Sequence, residues 1–181
     1  MPPTKLAIYD FDGTLFRSPS RPVGWVGAWF GKPESLGRPY VPEVPDAGWW
    51  NETVVERAKR DIANENTLTV LITGRDQRKF TVRVKELLEQ AGLAFDHVFL
   101  NPGDEDTGPY KLRVLTTLME DHLSVRNVDI WEDSEENIRL LSDYTESRGR
   151  AAFPHLVTVP PHPPEVEYMA ERVASRFRGL L

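Results

Sequence analysis

Two carboxylates stand two residues apart in Asp10-Phe11-Asp12-Gly13-Thr14, directly after the apolar run Leu6-Ala7-Ile8. A carboxylate such as Asp10 can attack phosphorus and divide hydrolysis into two easier steps through an aspartyl phosphate. Asp12, carried on the turn that follows, can reach the leaving oxygen as general acid and later activate water as base. A phosphoryl group is itself anionic, so two acids beside it would repel it unless a cation intervened. Asp10, the backbone carbonyl of Asp12, and Asp133 farther along the chain offer hard oxygen ligands suited to Mg²⁺ that keeps several waters. Thr73, in Ile72-Thr73-Gly74-Arg75, offers a hydroxyl and a backbone N–H to the transferring oxygens. Lys111 offers positive charge against what develops in the transition state. Each signal has an ordinary reading when met singly: an Asp-x-Asp in a turn satisfies its own backbone, Thr73-Gly74 is a strand exit, Lys111 is a surface lysine, and Glu132-Asp133-Ser134 is an acid-rich helix N-cap. Their joint occurrence, each next to an apolar run, is what argues for chemistry.

The elements that must position these groups follow from periodicity. Residues 5–9 read as a short buried strand, and Leu68-Thr69-Val70-Leu71-Ile72 repeats the design before Thr73. Residues 98–100, 128–131 and 156–159 supply three further candidates, each apolar enough for a central parallel strand. Between them the period becomes helical. Phe80, Val84, Leu87, Leu88 and Ala91 share one face ahead of Gly92. Leu115, Leu118, Met119 and His122 mark another helix; Ile138, Leu141 and Tyr144 a third; Val54, Val55, Ala58 and Ile62 a fourth. Val166, Met169, Ala170, Val173 and Phe177 form the stripe of a terminal helix. Alternating strands and helices predict an α/β fold, a three-layer Rossmann-like parallel sheet with helices on both faces. Ligands in such sheets bind beyond the carboxyl ends of the strands, where Asp10, Thr73 and Asp133 all fall.

At 181 residues one domain is expected. No apolar run approaches the roughly 20 residues of a membrane helix, and no basic-then-apolar leader is visible, so a cytoplasmic location is the default expectation. Cysteine is absent, which excludes thiolate metal sites and cysteine nucleophiles. A net charge of −6 argues against a broad, sequence-independent grip on nucleic-acid backbone. Arg75, Arg78, Lys79, Arg83 and Lys85 do cluster, a pattern that more often marks a solvated helix face.

Asp10-Phe11-Asp12-Gly13-Thr14 after a strand resembles the first motif of the haloacid dehalogenase (HAD) superfamily. Ile72-Thr73-Gly74-Arg75 resembles its second motif, Lys111 within Thr107-Gly108-Pro109-Tyr110-Lys111 its third, and Glu132-Asp133 its fourth. The resemblance implies a phosphatase with Asp10 as nucleophile, Asp12 as acid and base, and Mg²⁺ on Asp10, Asp12 and Asp133, with Glu132 and Asn137 in support. It also implies substrate binding by Thr73, Gly74, Arg75 and Lys111. Residues 75–111 leave no room for a cap domain. Residues 16–50, rich in Trp, Pro and Gly, are long for a structureless loop and are expected to form a functional flap. Leu15-Phe16-Arg17-Ser18-Pro19, Gly48-Trp49-Trp50-Asn51, the Thr-x-x-Tyr-Lys segment and Ile130-Trp131-Glu132-Asp133 are similar to the Swiss Army Knife RNA repair-like HAD group, although Ser134 stands where that group typically has Arg.

That resemblance implies a phosphorylated partner, a nucleic-acid end or a nucleotide; no obligate protein partner is evident in the sequence. Trp25, Trp29, Trp49 and Trp50 could stack on bases, at about 1 to 3 kcal/mol per base; alternatively Trp49 and Trp50 pack the flap onto the sheet. A small-metabolite phosphatase with the flap as lid, and a catalytically idle phospho-ligand module, are the competing readings. His97, His122, His155 and His162 have no metal-like spacing.

Overall fold

The computed structural model describes residues 1–103 and 105–165; the stripe expected for a terminal helix lies outside them. Strands β1 (Lys5–Tyr9), β2 (Thr67–Asp76), β3 (His97–Asn101), β4 (Asn127–Glu132) and β5 (Ala151–Leu156) alternate with helices α1 (Glu52–Ile62), α2 (Gln77–Gln90), α3 (Thr107–Asp121) and α4 (Glu135–Ser147). The sheet is parallel throughout, in the order β3-β2-β1-β4-β5. The chain leaves β1 toward β2 and β3, then returns to the other side of β1 for β4. This reversal makes the β1–β4 crevice the topological switch point, where such folds bind ligands. Tyr9 pairs with Trp131, so the register sets Asp10 beside Glu132 at the strand ends.

Strand alternation divides the core. Leu6 and Ile8 of β1 join Val70, Ile72, Val128 and Ile130 against Leu115, Leu118 and Met119 of α3 and Leu141 of α4. Ala7 and Tyr9 face the other way, toward Val54 and Ala58 of α1 and Phe80, Val84 and Leu87 of α2. β1 is thus buried on both faces, as its unbroken apolar run requires. No helix among the described residues is long and apolar enough to cross a membrane.

The fifth strand departs from expectation. Residues 156–159 carry the apolar signal, but the paired segment is Ala151–Leu156, with Pro154 opposite Ile130. Pro154 is tolerated because β5 is an edge strand, and an edge has no neighbour to receive the missing N–H. Val157 and Val159 instead turn over the sheet end and pack into the flap-side core, with the Val157 N–H donating to the Glu132 carbonyl at 2.8 Å.

The flap has little regular structure, only the one-turn 3₁₀ helices Pro33–Leu36 and Ala47–Trp49. Its root is nevertheless core. Phe16 bridges both Asp12 and Trp50 through its backbone, and its ring lies 5.4 Å from Phe11, 5.8 Å from Trp49 and 4.9 Å from Trp50. Leu36, Tyr40 and Val41 are buried too.

The basic run that the sequence suggested as a solvated face is in large part the flap's clamp. Arg75 lies at the end of β2, and Lys79 and Arg83, four residues apart on α2, stack along one side of that helix. Arg75 donates to the Phe30 carbonyl at 2.6 Å, Lys79 to the Gly31 carbonyl at 3.3 Å, and Arg83 to the carbonyls of Leu36, Pro42 and Glu43 at 2.8, 2.7 and 2.9 Å. Loop carbonyls with no strand partner are satisfied this way, each at an ordinary net worth of about 1 kcal/mol. Arg83→Ala is expected to lower stability by about 1 to 3 kcal/mol and to speed proteolytic cleavage within residues 36–45. Lys85→Ala, on the exposed side of α2, should stay within about 0.5 kcal/mol; urea unfolding and limited proteolysis of both variants check this.

Candidate active site

β1 ends in a tight loop that turns its acids inward. The Asp10 N–H donates to the Trp131 carbonyl at 2.9 Å, extending the ladder one residue past the strand. Phe11 is then buried, and its carbonyl accepts from the N–H groups of Leu15 and Phe16 at 3.1 and 2.9 Å. Gly13 adopts φ +72°, a left-handed conformation that costs other residues about 1 kcal/mol or more. A methyl group there would also fall 2.3 Å from Asp133 Oδ2. Gly13 is therefore required twice, for the turn and for the approach of Asp133.

Two cations serve the two aspartates. Lys111, on the first turns of α3 and 2% exposed, donates to Asp10 Oδ1 at 2.7 Å and to Glu132 Oε2 at 2.6 Å. Thr14 Oγ1 donates to Asp10 Oδ2 at 3.2 Å. Arg75, at the end of β2 and also buried, forks onto Asp12 through Nε to Oδ2 at 2.9 Å and Nη2 to Oδ1 at 2.6 Å. Its remaining nitrogen, Nη1, holds the Phe30 carbonyl and Ser35 Oγ, and Ser18 Oγ donates to Asp12. The Arg75 guanidinium lies between two rings, 5.2 Å from the centroid of Phe30 and 4.8 Å from that of Phe80.

Proton affinities follow these contacts. Burial pushes the Asp10 carboxyl up to about 7, against the pull of Lys111 and with the Glu132 charge adding to the rise. Burial would raise Asp12 likewise, but the Arg75 guanidinium outweighs it and holds this carboxyl below the usual range. Glu132 and Asp133 are both raised, chiefly by burial, with the neighbouring acids adding to it. Lys111 loses hydration on burial, yet Asp10 and Glu132 together raise its proton affinity.

Asp10, Glu132 and Asp133 can bring carboxylate oxygens within 4.8 Å of one another. Four carboxylates, counting Asp12, face the two cations Lys111 and Arg75. With all four ionised the surplus is two negative charges, which, on hard oxygen ligands and at a topological switch point, fits a divalent Mg²⁺. The sequence placed Glu132 and Asn137 in support of Asp133. Here Glu132 joins the acidic group itself, and the Asn137 amide lies 3.5 Å from Glu132 Oε1.

A cavity of about 510 Å³ opens above these groups, lined by Asp10, Asp12, Gly74, Arg75, Lys111, Glu132, Asp133 and Asn137, among others. Gly74 meets Thr107 closely: a methyl group there would sit 2.7 Å from Thr107 Oγ1. Thr73 is fully buried, its Oγ1 accepting from the Arg75 N–H at 3.2 Å, and it does not line the cavity. Nor do Trp49 and Trp50, which pack on Phe16; Trp49 also stacks on His162 at 3.8 Å. Trp29 is buried, with its indole N–H on the Pro19 carbonyl at 2.8 Å. Sequence reasoning gave no role to Ser18, Thr14, Phe30 or Thr107. Ser18 and Thr14 lay inside quoted motifs, while Phe30 sits in a stretch without periodicity and carried no signal.

Lys111→Met would leave Asp10 and Glu132 buried without their cation, a loss of the size seen on breaking buried ion pairs, about 3 to 5 kcal/mol. The deficit should be larger at pH 8 than at pH 5, because protonation of the two raised carboxyls removes the uncompensated charge. Urea unfolding at both pH values reads this directly.

Comparisons with known proteins identify the family and the fold. The family model described as HAD domain family 1 in Swiss Army Knife RNA repair proteins matches residues 20–175. The uncharacterized protein YMR265C of Saccharomyces cerevisiae is 25% identical over 177 residues, covering 80% of this chain; the chain spans 37% of that protein's length. Among solved structures, a chain of the Pnkp1/Rnl/Hen1 RNA repair complex superposes with a TM-score of 0.56 at 16% identity, covering 87% of this chain and 43% of its own. The HAD domain of effector protein Lem4 from Legionella pneumophila superposes at 0.53 and 13% identity, covering 96% of this chain and 93% of its own. At these identities the solved structures speak for the fold, and the family assignment comes from the sequence model. The chain belongs to HAD domain family 1 in Swiss Army Knife RNA repair proteins.

Proposed function

We propose that this HAD domain is a Mg²⁺-dependent phosphomonoester hydrolase that works through an aspartyl phosphate and acts on nucleic-acid ends or nucleotides. The observation that carries the reading is the separate service of the two aspartates: Lys111 on Asp10 and Arg75 on Asp12, both inside one cavity. A family of this kind has a phosphatase-type function. The surplus negative charge of the site supports the cation, and the RNA repair association supports the substrate class.

In the first half-reaction an Asp10 oxygen forms a bond to phosphorus as the bond to the leaving oxygen breaks, and Asp12 gives that oxygen its proton. Asp12 is ionised while only Arg75 and Ser18 hold it. An arriving phosphoryl dianion raises the proton affinity of a carboxyl beside it, which supports its service as an acid once substrate is bound. In the second half-reaction Asp12 takes a proton from water, whose oxygen attacks phosphorus and frees Asp10. Lys111 keeps Asp10 aligned and adds positive charge beside the equatorial oxygens. Asp10, Asp133 and Glu132 would hold Mg²⁺, with the Asp12 carbonyl as a further ligand; the ion supplies the charge that lets an anionic nucleophile meet an anionic phosphoryl group. Gly74, which lines the cavity, is proposed to present its backbone N–H to the phosphoryl oxygens.

Phosphate release is expected from RNA or DNA oligonucleotides bearing a 3′- or 5′-phosphate, or from mononucleotides, in the presence of Mg²⁺. Asp10→Asn should abolish it and leave the unfolding transition in place, and undiminished turnover by that variant would overturn the mechanism. Preference for sugar phosphates over every nucleotide would keep the mechanism and transfer the substrate to small metabolites.

Cation binding should also appear in stability. Asp10 titrates near 7 in the fold against 3.8 for the free side chain. A raised value means that folding favours the protonated form, so this contribution is full below about pH 4 and fades as pH rises through 7. Mg²⁺ on the ionised carboxylates offsets that loss. The rise in melting temperature on adding Mg²⁺ should therefore be larger at pH 7.5 than at pH 5, as read by thermal unfolding. An equal rise at both pH values would remove Asp10 from the ligand set.

A further inference from the structure

The cavity is far larger than one phosphoryl group, and Phe30 and Gly31 of the flap form part of its wall. Phe30 supplies the one aromatic side chain among the described lining residues, and it is 52% exposed. A lone exposed phenylalanine is ordinary on a protein surface; this one is held in place. Arg75 grips its carbonyl at 2.6 Å while lying against its ring, and the same guanidinium forks onto Asp12. One guanidinium thus separates the ring from the acid proposed to protonate the leaving group. Beside it, Lys79 lines the same wall, resting 3.3 Å from the Gly31 carbonyl, and no carboxylate comes within ion-pair distance of it among the described residues. A rigid aromatic surface loses little entropy when it takes up a flat ligand.

We propose that Phe30 is the stacking platform for the base of the terminal nucleotide whose phosphate is removed, and that Lys79 receives the next phosphate when that nucleotide ends a strand. This inference rests on the nucleotide side of the reading above and names the residues that select it. It also assigns base contact to the flap's exposed ring, in place of the tryptophans, none of which lines the cavity. Asp76, Glu105 and Asp106 also line the cavity, so a long polyanion laid across it would pass carboxylates.

Equilibrium binding tests this apart from turnover. The full chain carrying Asp10→Asn, in Mg²⁺, is titrated with adenosine 5′-monophosphate, adenosine 3′-monophosphate and ribose 5-phosphate. At least one nucleotide should bind about tenfold or more tightly than the sugar phosphate. Adding Phe30→Ala should shrink that ratio about tenfold, and Phe30→Tyr should restore most of it. Equal affinity for nucleotide and sugar phosphate, no detectable nucleotide binding, or a ratio untouched by Phe30→Ala would each overturn the proposal. A phosphorylated dinucleotide that binds more tightly than the mononucleotide, with the increment lost in Lys79→Ala and in high salt, identifies a strand end; equal affinities identify a free nucleotide and remove Lys79. Phosphate release by the wild-type chain reports on the hydrolytic reading separately. Base-dependent binding without turnover keeps the platform and removes the reaction, and turnover without base preference does the reverse.

Discussion

Repulsion among four carboxylates is the constraint around which this fold is arranged. Asp10 and Asp12 leave β1, Glu132 and Asp133 leave β4, and the parallel register of those two strands brings the pairs together at the strand ends, with Asp10 and Glu132 buried. Such a concentration of like charge is tolerable only with cations of fixed position. The neighbouring elements supply them from two directions: α3 sends Lys111 between Asp10 and Glu132, and the end of β2 sends Arg75 to Asp12. Each cation also ties its own element to the strand ends, so sheet order, helix docking and site chemistry rest on the same contacts.

Arg75 carries the constraint outward. It satisfies Asp12 with two nitrogens and the flap with the third, while its guanidinium lies over the rings of Phe30 and Phe80. Lysine could not do this, because a single ammonium lacks the rigid fork. The flap is consequently positioned by the same group that fixes an acid of the reaction centre. Lys79 and Arg83 continue the attachment along α2.

Much of this was legible in the residues. Strands that are buried on both faces announce themselves as unbroken apolar runs, so β1, β2 and β4 were visible, as were the acids at their ends. α1 to α4 followed from their apolar stripes. Less of β5 was visible, because an edge strand with Ala151, Ala152 and Pro154 has no such run, while Val157 and Val159 imitate one for a different packing reason. The geometry around Asp10, Asp12, Lys111 and Asp133 could be anticipated from motif order, since the fold leaves few ways to bring those strand ends together. The tasks of Arg75, Lys79 and Arg83 could not, because their partners are backbone carbonyls of an aperiodic segment, and a carbonyl has no side-chain signature. The tryptophans drew attention through size, yet large aromatics gain most by burial, and Trp29 and Trp49 took that course.

The flap joins two very different populations of residues. Its root, through Phe16, Leu36, Val41 and Trp49, is inseparable from the hydrophobic core, whereas Val23, Val26 and Phe30 stand open to solvent. Substitutions at the root cost folding stability; those at the tip are nearly free of that penalty, and of the tip residues Phe30 and Gly31 line the cavity. Changes at Phe30 and Gly31 can thus alter what the cavity meets with the core left untouched, which makes this tip the natural place to look for the traits that distinguish one relative from the next.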